Sequence, residues 1–204
     1  MEHKERSDVL LHYWYGESEE GVIPTQRMLH IWFGADPKVD AEIKDQFSED
    51  YQRALKGDYT SWEEAPRGSL TLIILFDQFS RHIHRNTTKA FELDAKALEL
   101  CLRGIEQQQD HLLSLLERAF FYFPLMHAEN LEMQAFSVRA FQMLVGLSFP
   151  ETRATFEKFL EYSIRHYEAI KQFGRFPQRN AILGRESTPE ESEYLKIAAI
   201  KWGD

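Results

Sequence analysis

Apolar residues recur every four positions along the first clear segment of the chain, at Val39, Ile43, Phe47, Tyr51 and Leu55. This spacing places their side chains on one face of an α-helix. Asp36 can accept hydrogen bonds from the first free backbone N–H groups, Pro37 is favoured as a first helical residue, and Gly57 is favoured just after a last one. The pattern therefore predicts an amphipathic helix between Pro37 and Gly57.

Six further segments with helical spacing predict helices over residues 66–81, 88–105, 112–127, 130–147, 150–173 and 189–201. Thr188 and Glu191 form the pattern of a capping box at the start of the last one. No segment is convincing as a strand, and the predicted connections are short, so successive helices should pack antiparallel. We therefore expect an all-α fold of antiparallel helical hairpins, packed as an α/α superhelix, in a single domain over residues 1–204.

An acidic residue follows the most apolar of these segments. Residues 70–76 read Leu-Thr-Leu-Ile-Ile-Leu-Phe, which is typical of a helix that is buried on most faces. Asp77 continues that buried stripe, and a buried carboxylate without a partner is strongly destabilising. Arg81, one turn later, is the local candidate for its partner, and the arginines near the carboxyl end are the distant candidates.

A second group of polar residues lies in the aromatic segment 115–134. Glu117 and Arg118 precede a run of apolar and aromatic residues, and Pro124 interrupts that run. Because proline lacks the N–H that a helix needs, Pro124 predicts a kink or break. His127 and Glu129 follow immediately, where a break would point their side chains into a pocket.

A third group lies in residues 172–185, which read QFGRFPQRNAILGR. Arg175, Arg179 and Arg185 alternate there with apolar residues and no acid, although the whole chain has a net charge of −9. His166, on the preceding helix, should face inward. A local basic segment in an acidic protein suits a small-anion site or an internal ion-pair network, and the overall charge argues against nucleic acid as a partner.

We expect these groups to form one polar centre, made of Asp77, Arg81, Glu117, Arg118, His127, Glu129, His166, Arg175 and Arg179. The centre could be an ion-pair network that fixes how the helices dock, in a protein that acts as a scaffold. It could instead be a binding site in which arginines hold a small anion or a peptide carboxylate. A third interpretation is a hydrolase that uses His127 or His166 as base and Glu117 or Glu129 to orient it.

The remaining features of the sequence argue against a cofactor, a metal site and a membrane span. There is no glycine-rich phosphate loop, and the spacing of the histidines and acids matches no closed zinc signature, so we expect neither a cofactor nor a metal. Cys101 lies in an apolar pattern and is expected in the core. His82 and His84 are expected at the surface or as cap residues. No apolar segment is long enough for a membrane span or a signal region, so we expect a soluble, cytoplasmic protein with no membrane partner.

The chain resembles a bacterial family catalogued as domain of unknown function 924 in three motifs and in their order along the sequence. They are Asp-Gln-Phe-x-Arg at 77–81, Glu-Arg at 117–118 with Tyr-x-Pro-Leu-Met-His-x-Glu at 122–129, and Phe-Gly-Arg-Phe-Pro-x-Arg-Asn-x-Ile-Leu-Gly-Arg at 173–185. The resemblance implies an all-α fold similar to tetratricopeptide-repeat (TPR) proteins and no established activity. The chain departs from the family at Ser80 and His82, where Pro-Arg-Asn is usual, and at Gln178, where histidine is usual. The last departure weakens the metal and acid–base interpretations.

Overall fold

The computed structural model describes residues 2–16 and 23–202, with side chains described for residues 6–16 and 23–197. Every regular element in these ranges is helical, as predicted. The α-helices are α1 (Glu2–Tyr15), α2 (Gln26–Phe33), α3 (Pro37–Lys56), α4 (Pro66–Ile73), α5 (Ser80–Ile83), α6 (Asp94–Glu106), α7 (Leu115–His127), α8 (Leu131–Leu147), α9 (Arg153–Phe173) and α10 (Pro189–Trp202). Short 3₁₀ turns occupy Thr60–Glu64, Thr88–Ala90, Asp110–Leu112 and Pro177–Arg179.

The predicted helix ends are confirmed where a capping residue marked them. The side chain of Asp36 accepts from the backbone N–H of Lys38 at the start of α3, and Gly57 ends that helix with a φ of 86°. Thr188 and Glu191 form both bonds of the predicted capping box, at 2.8 and 3.2 Å, where α10 begins. These ends depend on local chemistry, so the sequence is enough to locate them.

The helix predicted over residues 66–81 is interrupted by a π-helical segment, Ile74–Phe79, which joins α4 to α5. A π-helix is closed by bonds from an N–H to the carbonyl five residues earlier, as from Ser80 to Leu75. The hydroxyl of Ser80 donates to the carbonyl of Phe76 at 2.6 Å, and Arg81 donates to the carbonyl of Asp77. The segment that carries Asp77 is therefore held by side chains as well as by the backbone, and π-turns of this kind are frequent at functional sites.

Of the kink or break predicted at Pro124, the break is absent, because α7 continues through Pro124 to His127. The helix ends at His127 because Gln134 of α8, which is fully buried, donates to the carbonyls of Met126 at 2.6 Å and Ala128 at 2.8 Å. A side chain of the next helix thus satisfies the last carbonyl groups of α7.

Three other predicted starts are corrected by a few residues. Helix α6 begins at Asp94 rather than 88, because a 3₁₀ turn precedes it, and α7 begins at Leu115 rather than 112 for the same reason. Helix α9 begins at Arg153 rather than 150. Helices α1 and α2 were absent from the prediction, since α1 has little amphipathic pattern and α2 is only 8 residues long.

The core is strongly aromatic, and α6, α7 and α8 each pack against the next helix along the chain. Phe120 of α7 lies at its centre, with ring centroids 4.7 Å from Trp32 and 4.6 Å from Phe123. Cys101 is buried in this core, as expected. Within the described part of the chain, no helix has the length and apolar character to cross a membrane. The TPR-like arrangement stays a prediction.

Candidate functional site

The carboxylate of Asp77 is at the centre of the predicted polar group and has no exposed surface. It accepts from the Nδ1 of His127 at 2.7 Å and from the side-chain amide of Gln78 at 2.6 Å, and Arg81 lies 3.4 Å away. Burial alone raises the pKa of Asp77, but the charge of Arg81 and the contact with His127 hold that pKa well below its usual range. Asp77 is therefore an ionised carboxylate that fixes the ring of His127.

An acid that the sequence prediction missed joins two of the predicted arginines. Asp94, the first residue of α6, lies 3.0 Å from Nη1 of Arg81 and accepts from Nη1 of Arg179 at 2.9 Å. Arg179 also donates to the backbone carbonyl of His127 at 3.1 Å. Asp94 thereby links α5 and the segment after α9 to the start of α6.

The guanidinium group of Arg179 lies between two phenyl rings. Its Cζ is 4.6 Å from the ring centroid of Phe91 and 4.7 Å from that of Phe176. This stacking uses the flat, weakly hydrated face of the guanidinium group. Burial lowers the pKa of Arg179, which the nearby charge of Asp94 partly offsets. Phe176 of the arginine-rich segment therefore packs against this group, together with Phe91 from outside the segment, whereas Phe173 packs against Tyr194.

The other two arginines of the segment each hold a separate glutamate. Arg185 makes two bonds to the carboxylate of Glu129, at 2.8 and 2.9 Å, and the backbone N–H of Phe176 donates to the same carboxylate at 2.7 Å. These bonds lower the pKa of Glu129 against the effect of burial. Arg175 makes two bonds to Glu191 of α10, at 2.7 and 2.8 Å, away from the centre.

Glu117 and Arg118 also lie apart from the centre. Glu117 caps α7 through its bond to the backbone N–H of Ser114 at 3.0 Å. Arg118 donates to the hydroxyl of Tyr122 at 3.3 Å, and that hydroxyl bonds to Asp110. The structure thus brings together Asp77, Arg81, His127, Glu129, His166 and Arg179, and it holds Glu117, Arg118 and Arg175 elsewhere.

The two predicted histidines are neighbours, with ring centroids 6.0 Å apart. The Nδ1 of His166 donates to the backbone carbonyl of Tyr162 at 2.8 Å. Burial and the proximity of His127 lower the pKa of His166 to about 3. Burial also lowers the pKa of His127, although the charge of Asp77 acts in the opposite direction. Both rings are therefore neutral at pH 7.

The expectation that His82 lies at the surface is wrong. Its side chain is buried, and its Nδ1 contacts the carboxylate of Asp40 at 2.8 Å. Arg85 binds the same carboxylate. His84 follows the last residue of α5, as expected of a cap residue. The sequence around residues 80–85 is polar enough to suggest exposure, and only the packing of α3 on α5 makes His82 a core residue.

A cleft of about 470 Å³ opens beside the polar centre. Its walls are Thr88, Phe91, Glu92, Asp94, Ala95, Leu98, His127, Ala128, Glu129, Asn130, Arg179 and Leu183. The apolar part of the wall comes from the segment before α6, from α6 itself and from Leu183. Polar residues come from the same segments, from Arg179 and from the end of α7. No three described His, Cys, Asp or Glu side chains come together in a way that could hold a metal ion.

Each arginine of the polar centre has an acidic partner, and Glu92 in the cleft wall is a further acid. Arg81, Arg179 and Arg185 carry three positive charges, and their described partners Asp77, Asp94 and Glu129 carry three negative charges. The geometry expected for an ion-pair network is therefore present. A ligand of the cleft would contact arginines that already have acidic partners.

Three comparisons place the chain among known proteins. A family model described as "Bacterial protein of unknown function (DUF924)" matches residues 10–198. A solved structure of a protein of unknown function from Agrobacterium tumefaciens is similar over 94% of this chain and 97% of that one, with 29% sequence identity and a TM-score of 0.76. No curated protein matches the chain.

Proposed function

The chain belongs to the DUF924 family of bacterial proteins of unknown function, and from this premise we propose that its cleft binds a small ligand with an apolar body and a carboxylate. The body lies against Phe91, Leu98 and Leu183, and the carboxylate lies at Arg179. The observation that carries the proposal is the position of Arg179. Stacking and ion pairing hold its side chain in the wall of an open cleft.

Arg179 has N–H donors that its described hydrogen bonds do not use. Its guanidinium group has five N–H donors, and described groups accept from its Nη1 and Nη2 once each, at 2.9 and 3.1 Å. The remaining donors can meet a carboxylate in the planar geometry that suits it. The side chain is also pre-organised by Phe91 and Phe176, so binding orders few further groups.

The size and composition of the cleft support a small molecule. About 470 Å³ falls within the range of about 300–1,000 Å³ that is usual for ligand pockets. The apolar wall supplies burial energy and Arg179 supplies a cation, and together they favour a ligand with an apolar body and one acidic end. The carboxyl end of a peptide presents the same group, so a peptide-end mimic is included in the test.

Isothermal titration calorimetry with phenylacetate, N-acetylphenylalanine and phenylacetamide tests the proposal. The two carboxylates should bind more tightly than the amide, and Arg179→Lys should weaken them about tenfold or more, because the planar fork is lost. The matched control is Arg139→Lys, at an exposed position of α8. Leu98→Trp should block all three ligands by filling the cleft. Absence of binding, or equal affinity for phenylacetate and phenylacetamide, would contradict the proposal.

A further inference from the structure

His127 is the last residue of α7, and only one of its two ring nitrogens makes a hydrogen bond with a described group. Its Nδ1 bonds to Asp77 at 2.7 Å, and the side chain is 14% exposed at a residue that lines the cleft. Since Asp77 is an ionised carboxylate, Nδ1 carries the proton and Nε2 has a free electron pair. None of the hydrogen bonds among the described groups uses Nε2. This is the arrangement of a general base that an acid orients.

We propose that the cleft hydrolyses a carboxylic ester of an apolar acid, with His127 as general base and Asp77 as the residue that positions it. The proposal rests on the function proposed above, because Arg179 would hold the carbonyl oxygen of the ester and then the carboxylate of the product. The family and the similar solved structure are both described as of unknown function.

The reaction requires only water as co-reactant. Nε2 of His127 takes a proton from water while the water oxygen bonds to the ester carbon, and the carbonyl electron pair moves onto its oxygen. Donors of Arg179 stabilise that negative oxygen. The carbonyl re-forms as the bond to the alcohol oxygen breaks, and His127 returns its proton to that oxygen. The products are an alcohol and an acid, which ionises to the carboxylate.

The groups around His127 support the neutral ring that a base needs. Asp77 and Arg81 approach from the π-segment and its end, Asp94 from α6, His166 from α9, and Arg179 from the segment that follows α9. Burial and the charge of Arg81 lower the pKa of His127, and the charges of Asp77 and Asp94 raise it. Because the net effect is a lowered pKa, activity should rise with pH through that pKa and be constant near neutral pH.

The His82–Asp40 pair provides a matched control within the same chain. It has nearly the same contact, 2.8 Å from Nδ1 to the carboxylate, and its buried ring lies beside Trp14 of the core. Arg85 shares its carboxylate, and neither residue is part of the cleft wall. A substitution of His82 therefore removes a buried His–Asp pair without touching the proposed site.

Hydrolysis of ethyl phenylacetate, followed by NMR, tests the proposal on the full chain. This unactivated ester excludes the background reaction of surface histidines with activated esters. We expect turnover by the wild type, a loss of about 100-fold or more in His127→Gln, and no change in His82→Gln. Asp77→Asn should lower the rate and change the pH profile, because an amide can place the proton on the wrong nitrogen. Circular dichroism melts confirm that each variant is folded.

The outcomes separate catalysis from binding. If phenylacetate binds but the wild type hydrolyses the ester no faster than His127→Gln, the catalytic proposal is overturned and the binding proposal stands. If phenylacetate does not bind and no ester is hydrolysed, both fail. Should His127→Gln not fold, Leu98→Trp decides the question, because it blocks the cleft and leaves the His127–Asp77 pair intact; unchanged turnover in that variant also overturns the proposal.

Discussion

At the scale of single residues, the polar centre consists of side-chain pairs whose partners lie at very different separations along the chain. Asp77 contacts Arg81, the local partner that its buried position predicts, and also His127, which the sequence does not predict as its partner. Asp94 could not be found in this way, because an acid in the first turn of a helix is common on any protein surface. Its partner Arg179 is 85 positions away, so only the packing of the helices makes the pair.

His166 predicts a loss of stability in acid. Its pKa is lowered from 6.5 to about 3 in the folded protein, so the unfolded chain binds more protons between these values. Its contribution is fully present above pH 6.5 and is lost as the pH falls towards 3. His166→Asn keeps a donor for the carbonyl of Tyr162 and cannot titrate.

Urea unfolding at a series of pH values measures this effect. The free energy of unfolding of the wild type should fall more steeply between about pH 6.5 and 4 than that of His166→Asn, with a difference of at most a few kcal/mol. The control is His12→Asn, at an exposed position of α1. Acids such as Glu191, whose pKa is lowered to about 2, contribute equally to both proteins. Parallel curves would contradict the prediction.

At the scale of elements, the sequence predicts helices well where periodicity and capping agree. It predicts them less well where contacts with another helix determine the local structure. The ends of α3 and α10 are confirmed, since their capping residues are local. Pro124 predicts a kink or break, and the structure has no break there, since α7 continues to His127. The π-segment has no sequence signature other than the polar residues that follow an apolar run.

Gln134 should be one of the most sensitive polar positions of α8. Gln134→Leu would leave the carbonyls of Met126 and Ala128 buried without a donor, at a cost of about 1–3 kcal/mol for a buried unsatisfied group. The same substitution at Gln142, which is exposed on α8, should change the free energy of unfolding by less than about 0.5 kcal/mol. Thermal melts of the two variants measure the contrast, and similar melting temperatures would contradict it.

Two helical glycines predict opposite effects of the same substitution. A Cβ at Gly104 of α6 would lie 2.4 Å from the Cζ of Phe121, whereas one at Gly146 of α8 would have nothing within 4 Å. Gly104→Ala should therefore force α6 away from α7 and destabilise the protein by about 1–3 kcal/mol. Gly146→Ala should stabilise it by about 0.5–1 kcal/mol, because alanine loses less backbone entropy. Denaturant unfolding checks both signs, and a destabilising Gly146→Ala would contradict the second.

At the scale of the whole molecule, the arginine-rich segment 172–185 joins parts of the fold that are distant in sequence. Arg179 reaches α6 and the end of α7, and Arg185 reaches Glu129 just after α7. Arg175 reaches α10. Composition shows that these arginines are concentrated in an acidic chain, but it cannot show that each has its own acid. That assignment depends on contacts that only the folded chain makes.

This joining role predicts coupling between Glu129 and Arg185, which are 56 positions apart. Their side chains are 26% and 23% exposed, so solvent weakens the interaction less than at a fully exposed pair. In a double-mutant cycle of Glu129→Gln and Arg185→Met, each single change leaves a partner without its counter-charge, so the double variant should lose less stability than the sum of the two. We expect a coupling energy of about 1 kcal/mol, within the range known for residues in contact.

The matched cycle uses Glu193→Gln and Lys196→Met, an exposed pair on α10 at 3.0 Å, which should show almost no coupling energy. Equal coupling energies in the two cycles would contradict the prediction that the Glu129–Arg185 pair joins distant parts of the chain.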